Sequence, residues 1–205
     1  IKDVWEPWRF TWAPPLAQAF RLTGRNTYLD ALNGWTQDWL ASNPANAGPN
    51  WKCGQETSIR LMHVLLADHL LTDGLGTTPA LARFVAEHCG RIHPTLAYAM
   101  AQDNNHGTSE AAGLFVGGTW LQRHADGAVR RSARDWSEAG RRWLENRAAR
   151  LIAPDGSFSQ SSVNYHRMML ATLSFVEFWR RRQGQPPFSP TFRARAGAAT
   201  RWLLA

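Results

Sequence analysis

The chain has 205 residues and a mass of 23.0 kDa, the size of one domain or a large part of one. Hydrophobic residues make up 44%, charged residues 19% and aromatics 11%, which excludes a disordered tail or a low-complexity linker. Basic residues outnumber acidic ones 23 to 16, a formal charge of +7 carried almost wholly by arginine, and no apolar run approaches the ~20 residues of a membrane-spanning helix.

Helical periodicity runs through the chain, and no period-2 strand pattern competes with it. The chain opens Ile1-Lys2-Asp3, with no initiator Met and no signal segment, and stops at 201–205 inside an apolar helical pattern. Both are expected of a piece excised from a longer polypeptide. Pro14 and Pro15 suit a helix start, and Leu16, Ala19, Phe20 and Leu22 carry that helix to Gly24. Tyr28, Leu29, Leu32, Trp35 and Trp39 mark a second helix that stops before Asn43-Pro44. The stretch 43–54, rich in Asn, Pro and Gly, reads as a loop. A mostly apolar helix follows over 55–71, and Pro79 opens another that runs towards Met100 until the polar segment 102–107 ends it. Further helices are expected over 109–122, 129–152, 165–183 and from Thr191 onward. Pro154-Asp155-Gly156 is a turn, and Pro186-Pro187 breaks the chain before the last helix.

About eight helices in four hairpins result. Polar loops at Trp51, Asn104 and Ser157 precede alternate helices, and the steps from 51 to 104 and from 104 to 157 are both 53 residues. That interval fits one long helix pair with its loops, the mark of a helical repeat. Stacked hairpins bring every second connection to one end, so a curved stack gives the three loops a common mouth. The expected fold is all-α, an incomplete α/α toroid forming a single domain over 1–205.

Trp35, Trp39, Trp120, Trp136, Trp143 and Trp179 fall on helical stripes and are expected in the core. Trp5, Trp8, Trp12 and Trp51 lie near loops, where a tryptophan either packs inward or offers a platform to a sugar ring. Cys53 and Cys89 form no C-x-x-C pair, and His88, Cys89 and His93 lack a zinc spacing. No disulfide framework, metal or cofactor is therefore expected. Net positive charge favours an anionic partner, and the planar fork of arginine suits carboxylates and sulfates. The arginines at Arg130, Arg131, Arg134, Arg141, Arg142 and Arg180 to Arg182 read as solvated helix faces with no nucleic-acid motif beside them.

Three segments carry residues suited to chemistry. The first is Asn50-Trp51-Lys52-Cys53-Gly54-Gln55-Glu56 with Arg60 one turn on, where Glu56 and Arg60 stand i,i+4 and can pair. The second, Asp103-Asn104-Asn105-His106-Gly107-Thr108-Ser109-Glu110, sets two amides beside an imidazole; it also reads as a turn with a helix cap. The third is Asp155-Gly156-Ser157-Phe158-Ser159-Gln160 followed by Asn164-Tyr165-His166-Arg167, with Tyr165 and His166 at a helix start that favours anions.

Together these segments resemble the heparinase II/III-like polysaccharide lyases, whose helical toroid carries related stretches. The likeness includes Ile1-Lys2-Asp3-Val4-Trp5-Glu6 with Arg9, Leu16 to Phe20, Asp38-Trp39, Asn43-Pro44, Trp51 to Arg60, Asn104-Asn105-His106, Asp155-Gly156-Ser157 and Tyr165-His166. It follows their order through most of the chain and is nearest to members tied to bacterial surface-polysaccharide synthesis. The resemblance implies β-elimination at a uronic acid in an acidic polysaccharide. Asn105 and His106, with Asn104 beside them, would bind the uronate carboxylate, and Tyr165 would serve as base and acid, with His106 sharing the proton work. Trp51, Gln55, Glu56, Arg60 and His166 are the expected substrate-binding residues. The proton α to a carboxylate is weakly acidic, so donors must be aimed where enolate charge develops. A phenol of ordinary pKa ~10 needs cationic neighbours to act as a base. The family also implies further N-terminal helices and a C-terminal β-sandwich, neither present in this sequence, and a periplasmic or envelope location.

Two other functions compete. A toroidal glycoside hydrolase would need two facing carboxylates roughly 5–10 Å apart, drawn from Glu6, Glu56, Asp103, Glu110 and Asp155. A non-catalytic helical-repeat protein would hold an anionic polymer through its arginines.

Overall fold

The structure, a computed structural model, describes residues 2–73 and 77–205. Ile1 of the opening motif lies outside the described residues. Helix α1 (Lys2–Trp5) and a 3-10 turn (Pro7–Arg9) lead into α2 (Ala13–Thr23), where Pro14 and Pro15 occupy a first turn that needs no N–H donors. Gly24 ends α2 in the left-handed region and returns its N–H to Phe20 O at 2.8 Å. Next come α3 (Asn26–Ser42), a 3-10 turn (Pro49–Trp51), α4 (Gly54–Thr72) and α5 (Pro79–Ile92). A third 3-10 turn (His93–Thr95), α6 (Leu96–Ala101), α7 (Asn105–His124), α8 (Gly127–Leu151), α9 (Val163–Arg182) and α10 (Pro190–Leu204) complete the order. No strand occurs among the described residues; a single bridge joins Ile152 to Phe158. The fold is all-α, as the periodicity predicts.

The long helices pair as hairpins α2/α3, α4/α5, α7/α8 and α9/α10. Helix α2 packs on α4, α4 on α7 and α7 on α9, while α3, α5, α8 and α10 back this inner row. The result is an incomplete α/α toroid. The sequence reading needs two corrections in this region. The helix from Pro79 does not run unbroken to Met100, because Pro94 lacks an N–H and the chain tightens into 3-10 geometry there. Helix α7 begins at Asn105, earlier than its polar composition predicts. Asn104 is its N-cap, with extended backbone and a side chain accepting from His106 N at 2.9 Å, worth about 1 kcal/mol.

Helix α7 is buried on nearly every side, and its small residues are the reason. A Cβ on Gly113 would lie 2.7 Å from Ser58 Oγ of α4, one on Gly117 2.5 Å from Cys89 Sγ of α5, and one on Gly118 2.6 Å from the Ser137 backbone N of α8. Gly140 of α8 answers from the other side, where a Cβ would sit 2.4 Å from the Phe115 backbone N. Backbone cannot yield there as a flexible side chain would. Gly140→Ala is therefore expected to destabilise the fold by about 2–3 kcal/mol, read as a lowered urea midpoint at unchanged slope.

Trp39, Trp120 and Trp179 are buried as expected, and Trp136 and Trp143 half-buried. Trp35 is not core: it is 51% exposed and meets the Trp12 ring edge-on, ring centroids 5.3 Å apart. Of the loop tryptophans, Trp51 packs fully inward and Trp5, Trp8 and Trp12 partly so.

Candidate active site

The first segment is held from beneath. Asn43 Nδ2 donates to Trp39 O (2.9 Å), Asn50 Nδ2 to Asn43 Oδ1 (2.8 Å) and Trp51 Nε1 to Asn43 O (3.2 Å). Arg91 of α5 donates to Trp51 O (2.6 Å) and Lys52 O (2.8 Å). Arg60, 1% exposed, reaches three parts of the chain: Nε to His88 Nε2 (3.0 Å), Nη1 to Trp8 O (3.2 Å) and Nη2 to Asn50 O (3.0 Å). Its guanidinium lies 4.4 Å from the Trp39 ring centroid and 5.4 Å from that of Trp51. His88 Nδ1 faces Phe84 O at 2.7 Å and must donate, which leaves Nε2 as the acceptor for Arg60. Complete burial, reinforced by Arg60, holds the His88 pKa well below its usual value.

Three expected binding residues thus lie outside the cleft. Trp51 is 2% exposed beneath the loop. Arg60 is enclosed by tryptophans and does not pair with Glu56. His166, 1% exposed, bonds through Nε2 to Ala199 O (2.8 Å) and stacks on Trp202 at 4.6 Å. Glu56 instead takes Arg9 in a two-pronged pair, Nε to Oε2 at 2.7 Å and Nη2 to Oε1 at 2.8 Å. That hydrogen bond raises the Arg9 pKa against the opposing effect of burial.

The second segment is anchored by its neighbours on both sides. Asp103, left-handed at φ 46°, is gripped by Arg150 (Nε to Oδ1, 2.8 Å) and Arg147 (Nη1 to Oδ1, 2.7 Å) of α8. Those hydrogen bonds, with Arg150 the larger influence, hold its carboxyl at about 2. Asn105 donates Nδ2 to Gln55 Oε1 (3.0 Å) and its backbone N to Gln160 Oε1 (2.9 Å), so one residue ties all three segments together. Gly156, at φ 97°, seats the third segment on α10, since any Cβ there would stand 2.2 Å from Ala198 O. Asp155 Oδ1 closes its turn by accepting from Ser157 N (2.9 Å) and Oγ (2.8 Å).

These anchors bring the starts of α4, α7 and α9 to one cavity of about 470 Å³. Gln55, Glu56, Asn105, His106 and Tyr165 line it, with Trp5, Glu6, Arg9, Cys53, Ser162, Asn164 and Met168 completing the wall. Asn104 caps α7 beside it without lining it. Tyr165 is 41% exposed, and the His106 side chain 32%. The positive ends of three helix dipoles converge here, a setting that favours an anion. Beyond Met168 the cleft continues between α4 and α9 as a groove lined by Ile59, Met62, His63, Leu66 and Phe175. His63 Nδ1 bonds Arg9 O at 2.7 Å, and burial lowers its pKa.

Arg9 is the one Arg or Lys that lines the cavity among the described residues, and it is already paired with Glu56 and 3.9 Å from Glu6. The arginine surplus lies elsewhere: Arg134 pairs with Glu138, Arg180 and Arg181 with Glu177, and Arg141 reaches the carbonyls of Pro186 and Pro187. Sequence reasoning passed over Arg9, Gln160, Ser162 and Asn164 as site residues. Arg9 stood in the quoted motif, but its partner is 47 residues away. Among the described residues no three His, Cys, Asp or Glu side chains group closely enough to hold a metal ion.

Behind His106 stands Glu110, 4% exposed, its Oε1 4.0 Å from His106 Nδ1. Burial pushes its carboxyl up to about 7, opposed by Arg91, and burial lowers the His106 pKa, opposed by Glu56. A folded-state pKa above the unfolded value means the native chain binds the extra proton, so stability falls as pH rises from ~4.5 towards 7. Glu110→Gln is expected to flatten that fall, measured as the pH dependence of the urea midpoint.

Residues 4–193 match the model of the heparinase II/III N-terminus family. The chain belongs to the heparinase II/III family. A heparin-sulfate lyase of Bacteroides thetaiotaomicron is 25% identical over 164 residues, which cover 77% of this chain and 22% of that protein. A solved heparinase III with methylated lysines superposes with a TM-score of 0.68 at 18% identity, over 97% of this chain and 33% of that one. This heparinase II/III chain thus spans between a fifth and a third of the relatives it matches, and the solved structure bears on its fold.

Proposed function

We propose that this chain is the helical part of a polysaccharide lyase that cleaves a uronic-acid-containing acidic polysaccharide by β-elimination. The observation supporting it is the single cavity that Asn105, His106 and Tyr165 share at the heads of α7 and α9. The helix N-termini favour the uronate carboxylate, and the Asn105 amide and His106 imidazole are the groups that would receive it. Negative charge then builds on that carboxylate as the Tyr165 oxygen removes the C5 proton. The C5–H electron pair becomes the C4=C5 double bond, the C4–O bond breaks, and a proton returns from the phenol to the leaving oxygen. Gln55 holds the Asn105 amide in place. On the same reading, the rest of the machinery, including a β-sandwich that closes the cleft, belongs to the polypeptide beyond these residues, and the protein works in the periplasm or envelope.

Of the five carboxylates that hydrolysis could draw on, four are engaged or buried, while Glu6 stands at the cavity wall 3.9 Å from Arg9. Asp103 is held by two arginines, Asp155 by its own turn, Glu56 by Arg9, and Glu110 is buried. The test is a panel of acidic polysaccharides offered to the full-length protein. Unsaturated uronide, seen by its ultraviolet absorbance, is expected from at least one of them. New reducing ends without that absorbance would replace elimination with hydrolysis, and binding without either would leave a polymer-holding role.

A further inference from the structure

We propose that Glu110 is a positioning residue for His106, holding a proton that the imidazole takes up as negative charge develops in the cleft; this deepens the lyase reading and depends on it for its chemical purpose. The two residues stand one turn apart on α7, with Glu110 Oε1 4.0 Å from His106 Nδ1. Glu110 Oε2 is buried and makes no hydrogen bond. The carboxyl fits against the start of α4 only because residue 54 is glycine: a Cβ there would lie 2.5 Å from Glu110 Cδ and Oε2. A buried carboxyl with an unpaired oxygen is rare in a protein interior and calls for a use.

The surroundings fix the direction of the proton. Burial favours the neutral acid at Glu110 and the neutral ring at His106. Glu56 of α4 is the charged group acting on His106, with Arg9 bonded to it. Arg91 of α5 acts on Glu110, whose charge in turn acts on the Cys53 thiol. From α8, Arg147 turns to Asp103 instead. In the resting pair the Glu110 O–H points towards Nδ1, so the ring carries its hydrogen on Nε2 and presents a neutral donor to the cleft. Transfer breaks the Glu110 O–H bond and forms Nδ1–H, giving carboxylate and imidazolium with the pair's net charge unchanged. The imidazolium charge thus arises beside the substrate only when enolate charge arises to meet it. At 4.0 Å the pair is open by about 1 Å relative to a hydrogen bond, and such catalytic contacts tighten when substrate binds.

The test is 15N NMR of histidine-labelled full-length protein through the titration, with the His106 signals assigned by their loss in His106→Gln. The wild type is expected to hold neutral His106 as the Nε2–H tautomer. Glu110→Gln should lower the His106 titration by about one pH unit, and Glu110→Asp should restore part of it. An Nδ1–H tautomer in the wild type, a reading that needs no variant to fold, would overturn the assignment; so would a His106 titration indifferent to Glu110→Gln. If Tyr165→Phe keeps its turnover while the titrations remain coupled, the lyase reading fails and the proton-sharing pair stands. If turnover collapses in Tyr165→Phe but the titrations are uncoupled, Glu110 alone loses its role.

Discussion

Tyr165→Phe is expected to lower kcat on a cleavable polysaccharide by about 10²–10⁴-fold while leaving polymer binding within about twofold. The ring lines the cavity and is 41% exposed, so removing one oxygen takes away a proton carrier without opening a hole in the core. Its backbone sits in the first turn of α9, where His166 N bonds Ser162 O at 2.9 Å, and none of that depends on the hydroxyl. Folding should be unchanged, checked by superimposable urea transitions of the two proteins. Turnover within threefold of wild type would remove Tyr165 from the chemistry and with it the elimination mechanism as drawn.

Arg60→Ala should cost about 4 kcal/mol of stability, the largest single loss expected for a side chain near the site. Truncation strands the Trp8 and Asn50 carbonyls and the His88 Nε2, and it empties the space between the Trp39 and Trp51 rings. Arg60→Lys keeps a charge but has no fork to reach three acceptors, so it should recover less than half of the loss. Equilibrium urea unfolding reads both. A substrate-binding arginine would behave differently, raising KM while the unfolding midpoint stayed in place; that pattern would return Arg60 to the cleft.

The two roles of Arg60, expected and observed, show where reading a sequence stops. Glu56 and Arg60 share a helix face, and spacing alone makes them partners. What separates them is nonlocal: Arg9 arrives from the N-terminal turn to take Glu56, and the Trp39, Trp51 and His88 side chains from three elements enclose Arg60. Trp51 and His166 were misplaced for a related reason. An aromatic next to a polar loop carries no local sign of whether it turns inward, and only the packed neighbours, Asn43 for one and Ala199 with Trp202 for the other, decide it. Helix order and hairpin count were legible because each helix must bury a 3.6-residue stripe, and the spacing of three polar stretches did foretell their common mouth. The turn-and-cap reading of the second segment holds at Asn104, but an N-cap and a loop draw on the same polar residues, so the first turn of α7 read as loop up to Ser109.

The tight seating of α7 bears on how such a scaffold diversifies. Where that helix meets α4, α5 and α8, a Cβ at Gly113, Gly117 or Gly118 would stand within 2.7 Å of a neighbouring atom, so the amide and imidazole at its head inherit a fixed address. On the lyase reading, change in which polymer is accepted would be written at the exposed margin, in side chains such as Glu6 and Asn164 that border the cavity without bracing a helix. Related chains should therefore keep a constant spine and differ along its edges.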